Sequence, residues 1–336
     1  MTDIRHDVPS VSERTRAINA GAPVIAVHFL DDTALFVLSE EAVVFVPGDG
    51  EARRMVLHSG GILSAAADRT RVLTSGDDGK VVATNALGET RTLVTEPKRW
   101  WIDRVAAGPD GAFAWSVGKS AFVQTSKREE KHIEVLSSVG GLAFAPRGFR
   151  LAVSHYNGVA LWFPNAVGGA SERLDWKGSH LDVVFSPDGK FVITSMQEPM
   201  LHGWRLTDRK DMRMSGYAAR VRSMAWTSDG KALATSGFDQ IILWPFHGKD
   251  GPMGKTPRML APHESRVAVV SCHPHQEIVA AGYEDGLILL ARLEDGAEIL
   301  AKKPGASPVA ALGWDAAGNR LAWGTEEGEA GIIDLT

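Results

Sequence analysis

The sequence holds one cysteine, Cys272, in 336 residues. No disulfide can close within the chain, and a reducing, cytoplasmic setting is expected. It has no run of about eighteen apolar residues, the least a membrane-crossing helix needs. The amino-terminal stretch carries Asp3, Arg5, Asp7, Glu13 and Arg14 with no apolar segment among them, so it is not read as a secretory signal. Basic charge is not in excess, because the formal net charge is −5. A nucleic acid or an anionic membrane would call for a field of Lys and Arg that displaces counterions, and neither is expected as a partner. Glycine-rich phosphate loops and a G-x-S-x-G elbow are missing too. Cys272 has no evident base and orienting partner for nucleophilic work. The expectation is a protein that is not an enzyme and needs no cofactor.

What the sequence does contain is a repeat. Residues 181–195 read LDVVFSPDGKFVITS, 221–237 read VRSMAWTSDGKALATSG, and 309–324 read VAALGWDAAGNRLAWG. Each is an apolar alternation, a Gly turn and a second alternation, the pattern of a β-hairpin. The residue closing the first strand can be followed through Phe29, Ala66, Ala107, Phe144, Phe185, Trp226, Cys272 and Trp314, at intervals of about 40 residues. A third strand follows each hairpin and ends at Trp162, Trp204 and Trp244 in three units; Ala291 stands at that place in another, and Ile333-Asp334 in the last. A fourth strand leads to the next unit.

The segments FSPDGKFVITS and TSDGKALATSGFDQIILW, with the PHESRV lead-in before Val267, resemble the WD-repeat family over nearly the whole chain. The intact Trp-Asp pair of that family occurs nowhere here. The resemblance implies an all-β propeller of four-stranded antiparallel blades. The repeat predicts eight, with seven as the runner-up. The chain ends at a third strand, GIIDLT, so RTRAINA (14–20) is expected to pair beside it and close the ring, as the amino-terminal strand does in that family. Residues 1–12 are expected as a polar tail and 13–336 as a single propeller domain, monomeric.

Most conspicuous residues read as scaffold. Trp162, Trp204, Trp226, Trp244 and Trp314 recur at fixed places in the repeat. Asp78, Asp239 and Asp285 fall in bends that Asp favours by accepting local N–H bonds. The family's lead-in His bonds across its blade to a strand hydroxyl and a turn Asp. His263 holds that place with Ala281 where the hydroxyl would be, and His180 holds a similar one. The one metal-like cluster is Cys272-His273-Pro274-His275, whose thiol and imidazoles at Cys272, His273 and His275 are weak candidate ligands with no second pair at a standard spacing.

Comparison between units points to a binding surface. Six places before the closing residue, Pro23, Gly60, Ser138, Ser179 and Pro308 contrast with Trp101, Arg220 and Arg266. Two places on, Asp103 and Arg222 stand out in the same way. Neighbouring bends add Tyr156, Phe238, Tyr283 and Glu284. Arg and aromatic residues are typical of protein-binding hot spots, so a protein or peptide on the narrow face around the channel is the expected partner. The alternatives are a zinc-associated protein using the Cys272–His275 turn, and a hydrolase or lyase acting at the channel mouth with Asp103 and Arg222.

Overall fold

The repeat pattern emerges as strands in the computed structural model, which describes residues 8–336; the first seven residues of the expected tail lie outside the described residues. The chain forms two compact units. One comprises residues up to Phe36, Val46–Ala52 and Arg222–Thr336; the other comprises Val37–Phe45 and Arg53–Val221. No helix among the described residues is long and apolar enough to cross a membrane.

Hydrogen bonding groups the strands into seven sheets, six of four strands and one of six. Counted as sheets, the blades number seven rather than the eight separate ones the repeat predicts. The reason is local. All eight hairpins form, but the fourth and fifth share a sheet through two long strands, Leu151–Trp162 and Ser171–Phe185. The first half of Leu151–Trp162 pairs with Gly141–Phe144, and its second half with Ser171–Asp175. A register shift between Tyr156 and Gly158, with Asn157 at φ 71°, breaks its alternation. Leu151 and Val153 therefore share a core with Ala160 and Trp162, while Ala152 lies with Val159 and Leu161. Ser171–Phe185 is bulged between His180 and Asp182 and continues as the first strand of the fifth hairpin, against Phe191–Met196.

The same bulge occurs where the first strand begins in three other hairpins, at Ile62/Ser64, Val267/Val269 and Val309/Ala311. An extra residue there re-aims the side chains that follow. The hairpin turns behave as their sequence suggests. In Ser186-Pro187-Asp188-Gly189 the Ser186 hydroxyl donates to Asp188 Oδ1 at 2.7 Å, and Gly189 takes φ 73°, a left-handed value that glycine adopts without strain. Trp162 and Trp204 are fully buried, and the Trp314 indole donates to the Ser271 carbonyl at 3.2 Å.

The first described strand, Thr15–Asn19, pairs antiparallel with the last, Glu329–Asp334. Ile18 is buried there. Just before it, Leu300 N–H donates to the Pro9 carbonyl at 2.8 Å and Val11 N–H donates to the Leu300 carbonyl at 2.9 Å. Pro9–Val11 thus lies along the edge of Glu298–Lys302, with Val11 against an apolar cluster.

Candidate functional site

Three of the hairpins have lead-in loops anchored by an imidazole. In the second hairpin, His58 Nδ1 donates to Asp78 Oδ1 at 3.0 Å, and His58 Nε2 meets the Thr74 hydroxyl at 2.9 Å. Asp78 also accepts the Ser59 and Lys80 N–H groups at 3.0 and 3.1 Å. The set ties a lead-in loop, a strand and a bend together. Elsewhere it survives in halves: His180 meets Thr194 Oγ1 at 2.7 Å, and His263 meets Asp285 Oδ2 at 2.6 Å.

Four predicted residues lie in the unit built from Arg53–Val221. Trp101 is 60% exposed, beside Trp100, whose ring lies 4.4 Å from Lys98 Nζ. Asp103 Oδ2 accepts the Gly118 N–H at 3.4 Å. Tyr156 is exposed, and Arg220 donates to Gln197 Oε1 at 3.2 Å. Five lie in the other unit. Arg222 is exposed, and its guanidinium has no partner among the described residues. Arg266 is paired with Glu284 at 3.0 Å, so these two occupy each other. Phe238 is half-buried. Tyr283 is a correction: it is fully buried in an apolar cluster and its hydroxyl donates to the Ala261 carbonyl. Strand alternation turns it inward, so it offers no surface.

Tyr156 and Arg220 are brought together by a groove of about 450 Å³. Tyr156, Trp176, Lys177, Gln197 and Glu198 line it, and Arg220 reaches it through Gln197. The half-buried Trp176 covers a second imidazole, stacking on His202 with ring centroids 3.9 Å apart and planes at 15°. Among the described residues neither ring nitrogen of His202 has a hydrogen-bond partner, and the Asp211 carboxylate stays 3.7 Å away. Burial, reinforced by nearby His180 and Arg213, lowers its pKa to about 3 from an ordinary 6.5.

This imidazole gives the first prediction. Below pH 6.5 the unfolded chain takes up a proton that folded His202 refuses, so stability falls as pH drops from about 6.5 toward 3. His202→Phe keeps a ring under Trp176 and removes an unsatisfied N–H. It should raise stability at pH 7 by about 1–3 kcal/mol and reduce the loss between pH 7 and 5. Urea unfolding at both pH values measures this; an unchanged difference between them would contradict it.

The WD domain, G-beta repeat family matches residues 210–244. WD repeat-containing protein 1-B of Xenopus laevis is 33% identical over 122 residues, 34% of this chain and 20% of that protein. WD repeat-containing protein 1 of Xenopus tropicalis is 33% identical over 123 residues, with the same coverage. The match thus spans about a fifth of the length of these relatives. A crystal structure of the computationally designed Ika8 protein has TM-score 0.75 and 16% identity, covering 94% of this chain and 97% of that one. The likeness to that structure shows a shared fold, and residues 210–244 are similar to the WD-repeat family. The complete His58–Thr74–Asp78 set has the residue types that the WD-repeat resemblance implied for such a network, in a hairpin where the sequence had not pointed to it. The spacing that singled out His263 and Asp285 was a usable signal for His58 and Asp78.

Elsewhere in the propeller, the Cys272–His275 turn is structural. His273 Nδ1 accepts the N–H groups of His275 and Gln276 at 3.0 and 2.9 Å, so its proton is on Nε2, which donates to the Gly318 carbonyl at 3.0 Å. His275 Nε2 meets the Ala316 carbonyl at 2.7 Å. Burial, with Glu277 nearby, pushes the Cys272 thiol up to about 12. These ring nitrogens are committed and the thiol resists ionisation, whereas a metal needs free lone pairs and a thiolate. Among the described residues no three His, Cys, Asp or Glu side chains could hold a metal ion together. Sequence reading also passed over a groove of about 910 Å³ walled by Leu243, Pro245, Ile278 and Leu293, with His247 and Lys255 from a long connection. The glycines of GKDGPMGK in that connection were its signal.

Proposed function

We propose that this propeller is a non-catalytic scaffold, acting as a single copy, that binds a protein or peptide in the groove at Tyr156, Trp176 and Arg220. The observation that carries the reading is this groove itself. An exposed Tyr and a Trp line it, and an Arg whose bonded side-chain partner is a neutral amide stands beside it. Aromatic residues give a large contact area at small entropic cost, and a guanidinium matches a carboxylate bidentately. The partner fitted by this chemistry is a segment with an apolar side chain for the aromatic wall and an acidic one for Arg220.

The test is capture from source cells by the wild type and by a Tyr156→Ala/Arg220→Ala variant, followed by titration of the recovered partner. Both residues lie outside the core, so folding should change by no more than about 0.5 kcal/mol per site. Binding should weaken by about 1–4 kcal/mol, or about tenfold to a thousandfold. Unchanged affinity in the double variant would remove the site from this groove.

A further inference from the structure

A different pocket carries a sharper signal. It has a volume of about 350 Å³ and lies on three first strands, at Ile25–His28, Ala268–Val270 and Val309–Leu312, with Arg222 and Glu326 beside them. All belong to the unit that contains Arg222–Thr336. Its Ser223 hydroxyl is already used, donating to the Val270 carbonyl and accepting the Val270 N–H. Three polar groups are not used. Arg222 bonds only through its backbone N–H, to Ser236 Oγ. Glu326 is exposed and likewise bonds through its backbone, to the Pro308 carbonyl. His28 Nε2 is sealed from solvent with no partner.

The repeat shows that His28 is not demanded by the fold. Val24 lies against Gly324 as Val309 lies against Gly282, so the two valines are equivalent. Four residues on, Gly313 matches His28. The same place is filled by Ala66, Ala106, Ala143, Val184, Ala225 and Ser271. Small or apolar side chains suffice in seven hairpins, and an imidazole stands in the eighth. A buried polar group without a partner is destabilising, so an imidazole at this place calls for a reason beyond packing.

We infer that this pocket binds a carboxylate, held between the Arg222 guanidinium and an N–H of His28. The guanidinium supplies the charge and two parallel donors. Burial lowers the His28 pKa to about 4, so the imidazole is neutral at pH 7 and offers one N–H. Glu326 at the rim disfavours a second negative charge on the ligand. The carboxylate can belong to a small molecule or to a peptide terminus. The site shares no residue with the Tyr156 groove, so either can fail alone.

The experiment uses protein with 15N-labelled histidine, the His28 ring signals being assigned by their loss in His28→Gln. Sodium acetate and N-acetylglycylglycine are titrated separately against sodium chloride of equal ionic strength. The expected result is saturable movement of the His28 signals and a rise of its titration midpoint toward the ordinary histidine range. Arg222→Gln, at an exposed position, should keep the native spectrum and weaken binding by about tenfold or more. Tyr156→Ala/Arg220→Ala should bind both probes as the wild type does. Saturation by acetate assigns the site to small carboxylates; saturation by the peptide acid alone assigns it to peptide termini. No movement with either probe, or equal affinity in Arg222→Gln, overturns the inference.

Discussion

Removal of residues 1–19 should lower stability by about 4 kcal/mol or more and the melting temperature by about 10 °C or more. The deletion takes away the whole ladder from Thr15 to Asn19 opposite Glu329–Asp334, together with buried Ile18. It leaves the Glu329–Asp334 strand as a bare edge, an unpaired row of backbone groups. It also removes Arg16, which donates to the carbonyls of Pro47, Gly48 and Gly50. Deleting only residues 1–12 spares that ladder but breaks the Pro9 and Val11 bonds to Leu300. That shorter deletion should cost about 1–2 kcal/mol. Thermal and urea unfolding of the three forms ranks them. Equal melting of the whole chain and the 1–19 deletion would show that the first strand is dispensable.

Asp78→Ala should be the most damaging single change, at about 2–4 kcal/mol. Its carboxylate is 5% exposed and the His58 ring beside it is fully buried. The substitution strands the His58 Nδ1–H and the Ser59 and Lys80 N–H groups together. Burial by itself raises the Asp78 pKa, but the hydrogen bonds from His58, Ser59 and Lys80 outweigh it, so the net shift is downward. The sign follows from linkage. A carboxyl held below its unfolded value contributes stability above that value and loses it as pH falls through the folded one. Asp78→Ala should therefore narrow the difference in stability between neutral and acid solution. Thr74→Val, which removes the Nε2 bond and the hydroxyl's bond to the Val82 carbonyl, should cost about 1–2 kcal/mol. Chemical unfolding at pH 7 and in mild acid measures both. A neutral Asp78→Ala would mean that the network does not hold the loop.

The hairpin period, the turns and the pairing of the two chain ends were legible because each rests on local pattern. Alternation, a Ser-Pro-Asp-Gly bend and an outer strand missing from the last repeat need no tertiary information. The sharing of one sheet by the fourth and fifth hairpins was not legible. It depends on how Tyr156-Asn157-Gly158 and the turn before His180 keep backbone pairing continuous where other hairpins break it. Of the residues that comparison of the hairpins singled out by type, Trp101, Tyr156 and Arg222 are exposed. The same comparison could not see that Arg266 and Glu284 would neutralise each other, since a pairing across two loops is a matter of distance. Tyr283 was misplaced because a bend residue one step inside the strand faces the core. His28 escaped notice because its oddity appears only once the register of the first strands is known.

The meeting of the chain's ends in one sheet also bears on its motions. Arg14 donates to the Thr336 carbonyl at 3.1 Å, and Thr15 lies opposite Ile333. Terminal segments ordinarily open at little cost and exchange their amide hydrogens quickly. Here neither end can peel away without breaking the other's backbone ladder. The last strand is held on its other side by Arg320–Thr325, so it is the amides bonded between the first and last strands that exchange through a single shared opening.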